Sequence, residues 1–126
     1  MSFINYQLDN IDDTEFKPYD RYGRYNIIPG LYWKHLHYDN ITQCGTYLLK
    51  FDKAAKTILH EHSVYEEFLI IDGSLYDSLV CKDSDNKCLE KGTYIKMNPH
   101  TKHYSYSPNG CLVFVISHGN NLFSKL

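Results

Sequence analysis

One short stretch of the sequence holds the residue types that bind transition metals. His60 and His62 are separated by one residue, and alternate residues of a β-strand point the same way, so both imidazoles share one face. Residues 63–65 allow a turn, after which Glu66 begins an antiparallel neighbour and places a carboxylate opposite the two histidines. His103 opens a later strand and is the candidate third imidazole. Three nitrogens and one oxygen suit a divalent first-row metal.

Other histidines allow a comparison with this pattern. His35 and His37 form a second His-x-His pair, but no acid follows them after a tight turn, and no later histidine stands in a matching frame. We therefore interpret both as surface residues of a strand. His118 lies in the C-terminal tail and is predicted to be solvated.

The elements that must position these residues are predicted to be short β-strands. Apolar residues recur at period two, as in Tyr47, Leu49 and Phe51. The predicted strands cover residues 31–38, 43–51, 57–62, 66–71, 74–80, 87–90, 94–97, 103–106 and 111–116. Asp72-Gly73 predicts a hairpin between two of them. Many short strands separated by turns, without a helical period, indicate a sandwich or a barrel.

Two segments within the predicted strands are apolar on both faces, at residues 68–71 and 112–116. A strand with one wet face should alternate between apolar and polar residues. We therefore expect the outer face to be covered, either by the N-terminal segment or by a second copy of the chain. The expected assembly is a homodimer.

Composition excludes several classes of protein. The 126 residues suffice for one domain. With 13 basic and 15 acidic residues, the net charge of -2 offers no basic footprint for nucleic acid. No apolar run approaches the roughly 20 residues of a transmembrane helix, and residues 1–13 do not resemble a signal peptide. The four cysteines form no Cys-x-x-Cys pair. We therefore expect free thiols in the reducing cytoplasm, with a Cys81–Cys88 bridge across a hairpin as the alternative.

The glycines and prolines around the metal-binding residues also follow a regular spacing. Three residues separate His62 from Glu66, and six more separate Glu66 from Gly73, as in the first cupin motif. Gly92 precedes His103 by eleven positions, with Pro99 in the intervening loop, as in the second cupin motif. Five segments resemble the ChrR-like cupin family more narrowly, at residues 30–36, 48–51, 66–73, 92–95 and 110–115.

This resemblance covers residues 29–117 and implies an all-β fold, a single cupin-type double-stranded β-helix (jelly-roll) barrel. Residues 1–28 would be an N-terminal extension and residues 118–126 a C-terminal tail. The family's metal ligands would fall on His60, His62, Glu66 and His103. Glu67 is the rival carboxylate, but strand parity favours Glu66, which shares a face with Phe68.

The chain departs from the family at His100, which stands where a glycine is usual before the second-motif histidine. Glycine there would permit a positive φ, which histidine adopts less freely. Alternatively, His100 is retained to bind substrate or relay a proton at the rim of the pocket. By parity Ser105 shares the inward face with His103, and together with Phe68 and His100 it is a tentative substrate-binding residue.

Tyrosine is abundant in this chain, with 12 residues. Five of them lie in or beside the motif region, namely Tyr65, Tyr76, Tyr94, Tyr104 and Tyr106. Packing on half-buried strands explains most of them. A tyrosine-lined mouth that binds a polar metabolite is the alternative, and the sequence does not select its members.

The resemblance implies three functions. The first is a dioxygenase that binds one divalent metal per chain and cleaves a diketone or a related carbonyl metabolite. The second is a non-catalytic metal-bound sensor or ligand-binding protein, as in the regulatory domain of an anti-sigma factor. The third is isomerase or hydrolase chemistry on the same fold. Iron or zinc is the expected metal, with manganese and nickel as alternatives. The expected partner is a small molecule, with no nucleic acid and no membrane.

Overall fold

The computed structural model describes residues 6–13, 15–20, 28–81, 88–119 and 124–125. Within these ranges the regular elements are a 3-10 turn and short β-strands: η1 (Ile11–Asp13), β1 (Lys17–Pro18), β2 (Leu31–Tyr38), β3 (Cys44–Phe51), β4 (His60–Glu61), β5 (Glu66–Asp77), β6 (Leu89–Glu90), β7 (Tyr94–Met97), β8 (Lys102–His103), β9 (Ser105–Tyr106), β10 (Cys111–His118) and β11 (Ser124–Lys125). No helix in this part of the chain is long and apolar enough to cross a membrane.

The strands form an all-β jelly roll, as the sequence predicts. Eight strands make one curled sheet in the order β1-β2-β3-β10-β5-β6, with β7 and β9 also paired to β5. The second sheet has the order β11-β4-β8. Each pairing is antiparallel. The two-residue β4 and β8 belong to the smaller sheet and carry two of the predicted metal ligands.

The predicted hairpin at Asp72-Gly73 is wrong. The chain continues through it as one strand, β5, of 12 residues. Gly73 has a φ of 77°, and a Cβ built on it would lie 2.2 Å from the carbonyl oxygen of Gly110, so only glycine fits there. The register against β10 also shifts in this region, where Val113 pairs with Ile70 and Leu112 with Asp72. The strand therefore forms a β-bulge near Asp72-Gly73, where a turn was predicted, and continues along the barrel wall.

The predicted strand at residues 103–106 is divided in the structure. His103 pairs with His60 in the smaller sheet, whereas Ser105 pairs with Asp77 in the larger one. The predicted strand at residues 57–62 is likewise reduced to β4. Both differences arise because the chain crosses between two sheets at this end of the barrel, and a crossing interrupts the pairing.

The interior is filled by the period-two faces of the long strands. Tyr47, Leu49 and Phe51 of β3 are buried, as predicted, and Val113 and Val115 of β10 lie beside them. The outer face is covered in part by the N-terminal segment. The Asp9 carboxylate lies 4.0 Å from the Lys34 ammonium, and the Lys50 ammonium lies 5.7 Å from the centroid of the Phe16 ring.

This cover does not extend across the whole outer face. The register aligns Leu48, Phe114, Leu69 and Tyr94 in one row across β3, β10, β5 and β7. Leu48 is fully buried, but Leu69 is 40% exposed and Tyr94 is 55% exposed. An apolar strip therefore remains open on β5 and β7.

Candidate metal centre

Three imidazoles converge at the end of the barrel where the small sheet closes it. His60 of β4 and His103 of β8 are directly opposed in the strand register, and His62 follows β4. The Nε2 atom of His62 lies 2.9 Å from Nε2 of His60 and 3.1 Å from Nε2 of His103. All three side chains are buried, between 2% and 3% exposed. Within the described ranges they are the only group of three or more potential ligands that could hold a metal ion.

The hydrogen bonds made by Nδ1 determine the tautomers of His60 and His103. Nδ1 of His60 lies against the carbonyl oxygen of Ile58, which can only accept a hydrogen bond, so Nδ1 is the donor. Nδ1 of His103 donates to the carboxylate of Asp77 at 2.7 Å. In a neutral imidazole the other nitrogen then carries a lone pair. Both Nε2 lone pairs are therefore directed to the point where the three rings meet.

This arrangement fits a divalent metal ion. Two nitrogens each about 2.1 Å from one ion lie about 3.0 Å apart when they meet at a right angle. The separations of 2.9 and 3.1 Å match that value. A metal ion at the point where the rings meet would contact all three nitrogens together.

Asp77 is an essential part of this arrangement that the sequence analysis did not identify. It is fully buried, and its Oδ2 accepts from His103 Nδ1 at 2.7 Å and from Ser105 Oγ at 3.0 Å. Its Oδ1 accepts from the backbone N–H of Leu79 at 2.9 Å. Burial raises the pKa of Asp77, but the hydrogen bonds outweigh burial and hold the pKa below its usual value. Asp77 is therefore an ionised carboxylate that orients His103, one of the three candidate ligands.

The structure places Glu66 beside the ligand group and outside the cluster of Nε2 atoms. The Glu66 side chain is 1% exposed, and its Oε1 lies 3.5 Å from Nδ1 of His62. The parity prediction is confirmed, because Glu66, Phe68 and Ile70 are all buried while Glu67 points outward. Direct ligation by Glu66 remains a prediction.

The three imidazoles line a cavity between the two sheets. Its other walls are mainly apolar and are formed by Tyr19, Tyr47, Leu49, Phe51, Phe68, Leu75, Val113 and Val115. The space left inside is about 30 Å³, room for roughly two water molecules. The cavity is partly open to solvent, and a metal ion held by the three histidines would face its mainly apolar interior.

The tentative substrate-binding residues lie at different distances from the cavity. Phe68 and Ser105 line it. The Ser105 hydroxyl donates to Asp77, and the Phe68 ring lies 6.4 Å from the His103 ring, centroid to centroid. The His100 side chain is 75% exposed and lies 3.1 Å from the carboxylate of Glu61. A role of His100 in substrate binding remains a prediction.

His100 has a φ of 66°, which is the conformation that glycine would adopt at this position. Its backbone N–H donates to the carbonyl oxygen of His62 at 2.8 Å. The second-motif loop therefore keeps its backbone path despite the histidine, and it is hydrogen-bonded directly to His62, one of the three candidate ligands.

The structure agrees with the predictions for His35 and His37 and differs from the prediction for His118. His35 and His37 are exposed on β2, as predicted. The prediction for His118 is wrong, because it ends β10 and its side chain is only 26% exposed. Its Nε2 contacts the Glu67 carboxylate, and its ring stacks on Tyr65 with the centroids 4.0 Å apart. The extra length of β10 brings this residue onto the sheet.

The sequence analysis also missed the tyrosines of the cavity. Tyr19 and Tyr47 line it, whereas none of the five tyrosines named near the motifs does so in the described structure. Tyr47 was recognisable from its alternation with Leu49 and Phe51. Tyr19 lies in the N-terminal extension, where no periodic pattern indicates burial.

Comparison with known proteins identifies the same type of domain. The pattern of the ChrR Cupin-like domain family matches residues 24–120, more than half of the chain. Searches among curated proteins give no match.

Several solved structures share the fold at low sequence identity. An acetylacetone dioxygenase from Acinetobacter johnsonii superposes with a TM-score of 0.76 at 14% identity, covering 98% of this chain and 80% of that one. The polyketide cyclase RemF from Streptomyces resistomycificus gives 0.75 at 13% identity, covering 96% and 85%. The anti-sigma ChrR, solved with Rhodobacter sphaeroides SigE, gives 0.64 at 13% identity, covering 86% of this chain and 50% of ChrR.

Proposed function

Because this chain belongs to the ChrR cupin-like family, we propose that it is a metal-dependent dioxygenase acting on a small diketone or a related carbonyl compound. The observation that carries the proposal is the convergence of three buried Nε2 atoms, 2.9 and 3.1 Å apart, on the wall of a mainly apolar cavity. The structural likeness to an acetylacetone dioxygenase supports the choice of substrate class.

His60, His62 and His103 would hold the metal, with Glu66 as the proposed fourth ligand. A bound divalent metal supplies a Lewis acid for a carbonyl oxygen and a redox centre for reaction with dioxygen. The protein residues orient the metal ligands and determine the polarity around the metal site. Asp77 holds His103 in its ligating tautomer, and the mainly apolar walls limit the water around the site, which strengthens electrostatic interactions inside the cavity.

The cavity favours a small substrate of low polarity. A carbonyl group can approach the histidine cluster while the remainder of the molecule contacts apolar walls that include Phe68. Cleavage of one carbon–carbon bond in a β-diketone, with both atoms of dioxygen entering the products, gives a carboxylic acid and a 1,2-dicarbonyl. One dioxygen is therefore consumed for each diketone.

Iron is the proposed metal, because oxygenase chemistry needs a redox centre. Zinc, manganese and nickel would also accept three imidazoles, so the ligand set does not choose among them. The four free thiols fit a reducing compartment, and we place the protein in the cytoplasm.

The decisive experiment combines elemental analysis with oxygen uptake. Untagged protein, purified without added metal, is analysed for bound metals and then mixed with a panel of β-diketones in an oxygen electrode. Near-stoichiometric iron and equimolar consumption of oxygen and diketone are expected. His60→Ala protein provides the control for uptake that does not need the site.

Two other outcomes would change the assignment. Tightly bound zinc without oxygen uptake, even after iron reconstitution, would replace the enzyme with a metal-bound sensor or ligand-binding protein. Absence of any bound metal after reconstitution would contradict the metal centre itself.

We further propose a homodimer that pairs the open strip on β5 and β7. Leu69 and Tyr94, 40% and 55% exposed, lie beside Phe114 on a continuous row of side chains. The N-terminal segment contacts Lys34 and Lys50 on β2 and β3. The apolar strip on the other strands is therefore the surface available to a second copy.

A further inference from the structure

We propose that Tyr19, from the N-terminal extension, is the residue that limits the size of the molecule admitted to the metal cavity. The identity of the ligand as a carbonyl compound rests on the proposed function. The role of Tyr19 rests on the geometry of the cavity alone. The family match begins at residue 24, so Tyr19 lies outside the part of the chain that the family pattern covers.

The N-terminal extension is fixed to the barrel at this point. Lys17 and Pro18 pair with Trp33 and Tyr32 as an edge strand, where a proline is tolerated. The backbone N–H of Tyr19 then donates to the carbonyl oxygen of Leu31 at 2.9 Å. These contacts hold the backbone of Tyr19 against the first long strand of the barrel.

The Tyr19 side chain is directed inward. It is 3% exposed, belongs to the hydrophobic core and lines the same cavity as the three histidines. Its ring packs edge-on against Trp33, with the centroids 4.8 Å apart, and Trp33 packs in turn against Tyr47 at 5.6 Å. Tyr19 is thus held as a rigid wall and not as a loose covering side chain.

The cavity is small, so the volume of the Tyr19 side chain affects which molecules can enter it. Only about 30 Å³ is free, and a phenol ring occupies more volume than roughly two water molecules. Truncation of Tyr19 would therefore enlarge the cavity substantially. The Tyr19 ring would then limit how bulky a carbonyl compound can approach the metal.

The test measures ligand size selection on the zinc-loaded protein, in which no turnover occurs. The dissociation constants of acetylacetone and of dibenzoylmethane are measured for wild type, Tyr19→Ala, Tyr19→Leu and Tyr19→Phe. Wild type should favour the smaller diketone, and Tyr19→Ala should reduce that preference by about tenfold or more. Tyr19→Leu is a milder change that keeps the test valid if the alanine variant folds poorly. Tyr19→Phe should keep the wild-type preference.

Tyr32→Ala provides the matched control. It removes the same side chain from the residue that pairs with Pro18, but Tyr32 does not line the cavity. An unchanged size preference in Tyr19→Ala and Tyr19→Leu, or an equal change in Tyr32→Ala, would overturn the assignment of Tyr19.

A second measurement separates this inference from the proposed function. The rate of zinc extraction by the bulky chelator 4-(2-pyridylazo)resorcinol needs no substrate. Extraction should be several-fold faster from Tyr19→Ala and unchanged in Tyr19→Phe and Tyr32→Ala. If no variant binds a diketone but extraction follows this pattern, the substrate class is wrong and the role of Tyr19 stands. If diketones bind and neither readout responds to Tyr19, only the role of Tyr19 is wrong, and failure to bind zinc overturns both.

Discussion

Asp77 accepts a 2.7 Å hydrogen bond from Nδ1 of His103, although 26 positions separate the two residues in the sequence. Both side chains are fully buried, and Ser105 donates a second hydrogen bond to the same carboxylate oxygen. Because Nδ1 is occupied in this way, His103 presents Nε2 to the candidate metal site. Asp77 is thus the positioning residue for a proposed ligand histidine.

Replacement of Asp77 by asparagine should weaken metal binding by about 10- to 100-fold, the usual effect of losing a partner of a ligating histidine. Asparagine has nearly the same size as aspartate, but it lacks the negative charge that strengthens the hydrogen bond from His103. Metal affinity is measured by competition with a chelator, and the melting temperature of the metal-free variant reports any general loss of stability.

A double-mutant cycle distinguishes positioning from general stability. In a His103→Ala background, Asp77→Asn should cause little further loss of metal affinity, because the side chain that it orients is gone. Equal losses with and without His103 would show that Asp77 acts on the fold as a whole.

His62→Ala and His103→Ala should each remove most of the bound metal. Each change deletes one of the three converging nitrogens, and the remaining pair of imidazoles binds far more weakly. Elemental analysis after exhaustive dialysis measures the result. His37→Ala is the control, since His37 is exposed on β2 and does not line the cavity. Full metal occupancy in both cavity variants would falsify the ligand assignment.

Glu66→Gln should reduce metal affinity by at least about tenfold, whereas Glu67→Gln should leave it unchanged. The two carboxylates are adjacent in sequence but occupy opposite faces of β5, and only Glu66 lies beside His62. The same chelator competition compares both variants. A larger loss in Glu67→Gln would reverse the assignment based on strand parity.

Glu67 instead has a predicted effect on stability that depends on pH. Hydrogen bonds from Tyr94 and His118 lower the pKa of Glu67 below its usual value of 4.5. A lowered pKa in the folded state stabilises the protein above pH 4.5, and this stabilisation is lost as the pH falls through the folded pKa. Glu67→Gln should therefore lower the melting temperature at neutral pH.

The difference in melting temperature between Glu67→Gln and wild type should shrink as the pH is lowered below 4.5. Thermal melts of both proteins across that range check the sign. A difference that stays constant with pH would mean that the carboxylate charge contributes nothing and that the substitution acts through packing alone.

The proposed dimer predicts that Leu69→Lys yields a monomer. Leu69 is 40% exposed at the centre of the open strip, and a lysine in a buried apolar interface would carry an unpaired charge. Light scattering measures the mass of both proteins, and metal content checks that the barrel is intact. A wild-type monomer at high concentration would contradict the dimer.

Much of the barrel follows from the sequence because local pattern and long-range structure agree there. The predicted strand at residues 31–38 coincides with β2, and Tyr94–Met97 coincides with β7. The alternation of side chains along a strand also correctly predicted that Glu66 points inward and Glu67 outward. The sequence also indicated the candidate metal cluster of His60, His62 and His103. One strand pair, β4 with β8, brings His60 and His103 together, and the alternation that begins at His60 directs His62 to the same side.

Asp77 and Tyr19 could not be found in this way. In β5 the buried residues are even-numbered at Glu66 and Phe68 but odd-numbered at Leu75 and Asp77, because the bulge before Gly73 inserts one residue and reverses the alternation. A count from Glu66 therefore places Asp77 on the wrong face. Tyr19 reaches the cavity only because β1 pairs with the edge of β2. The sequence determined the barrel and the candidate ligand histidines, whereas tertiary pairing decided which carboxylate orients His103 and which ring bounds the cavity.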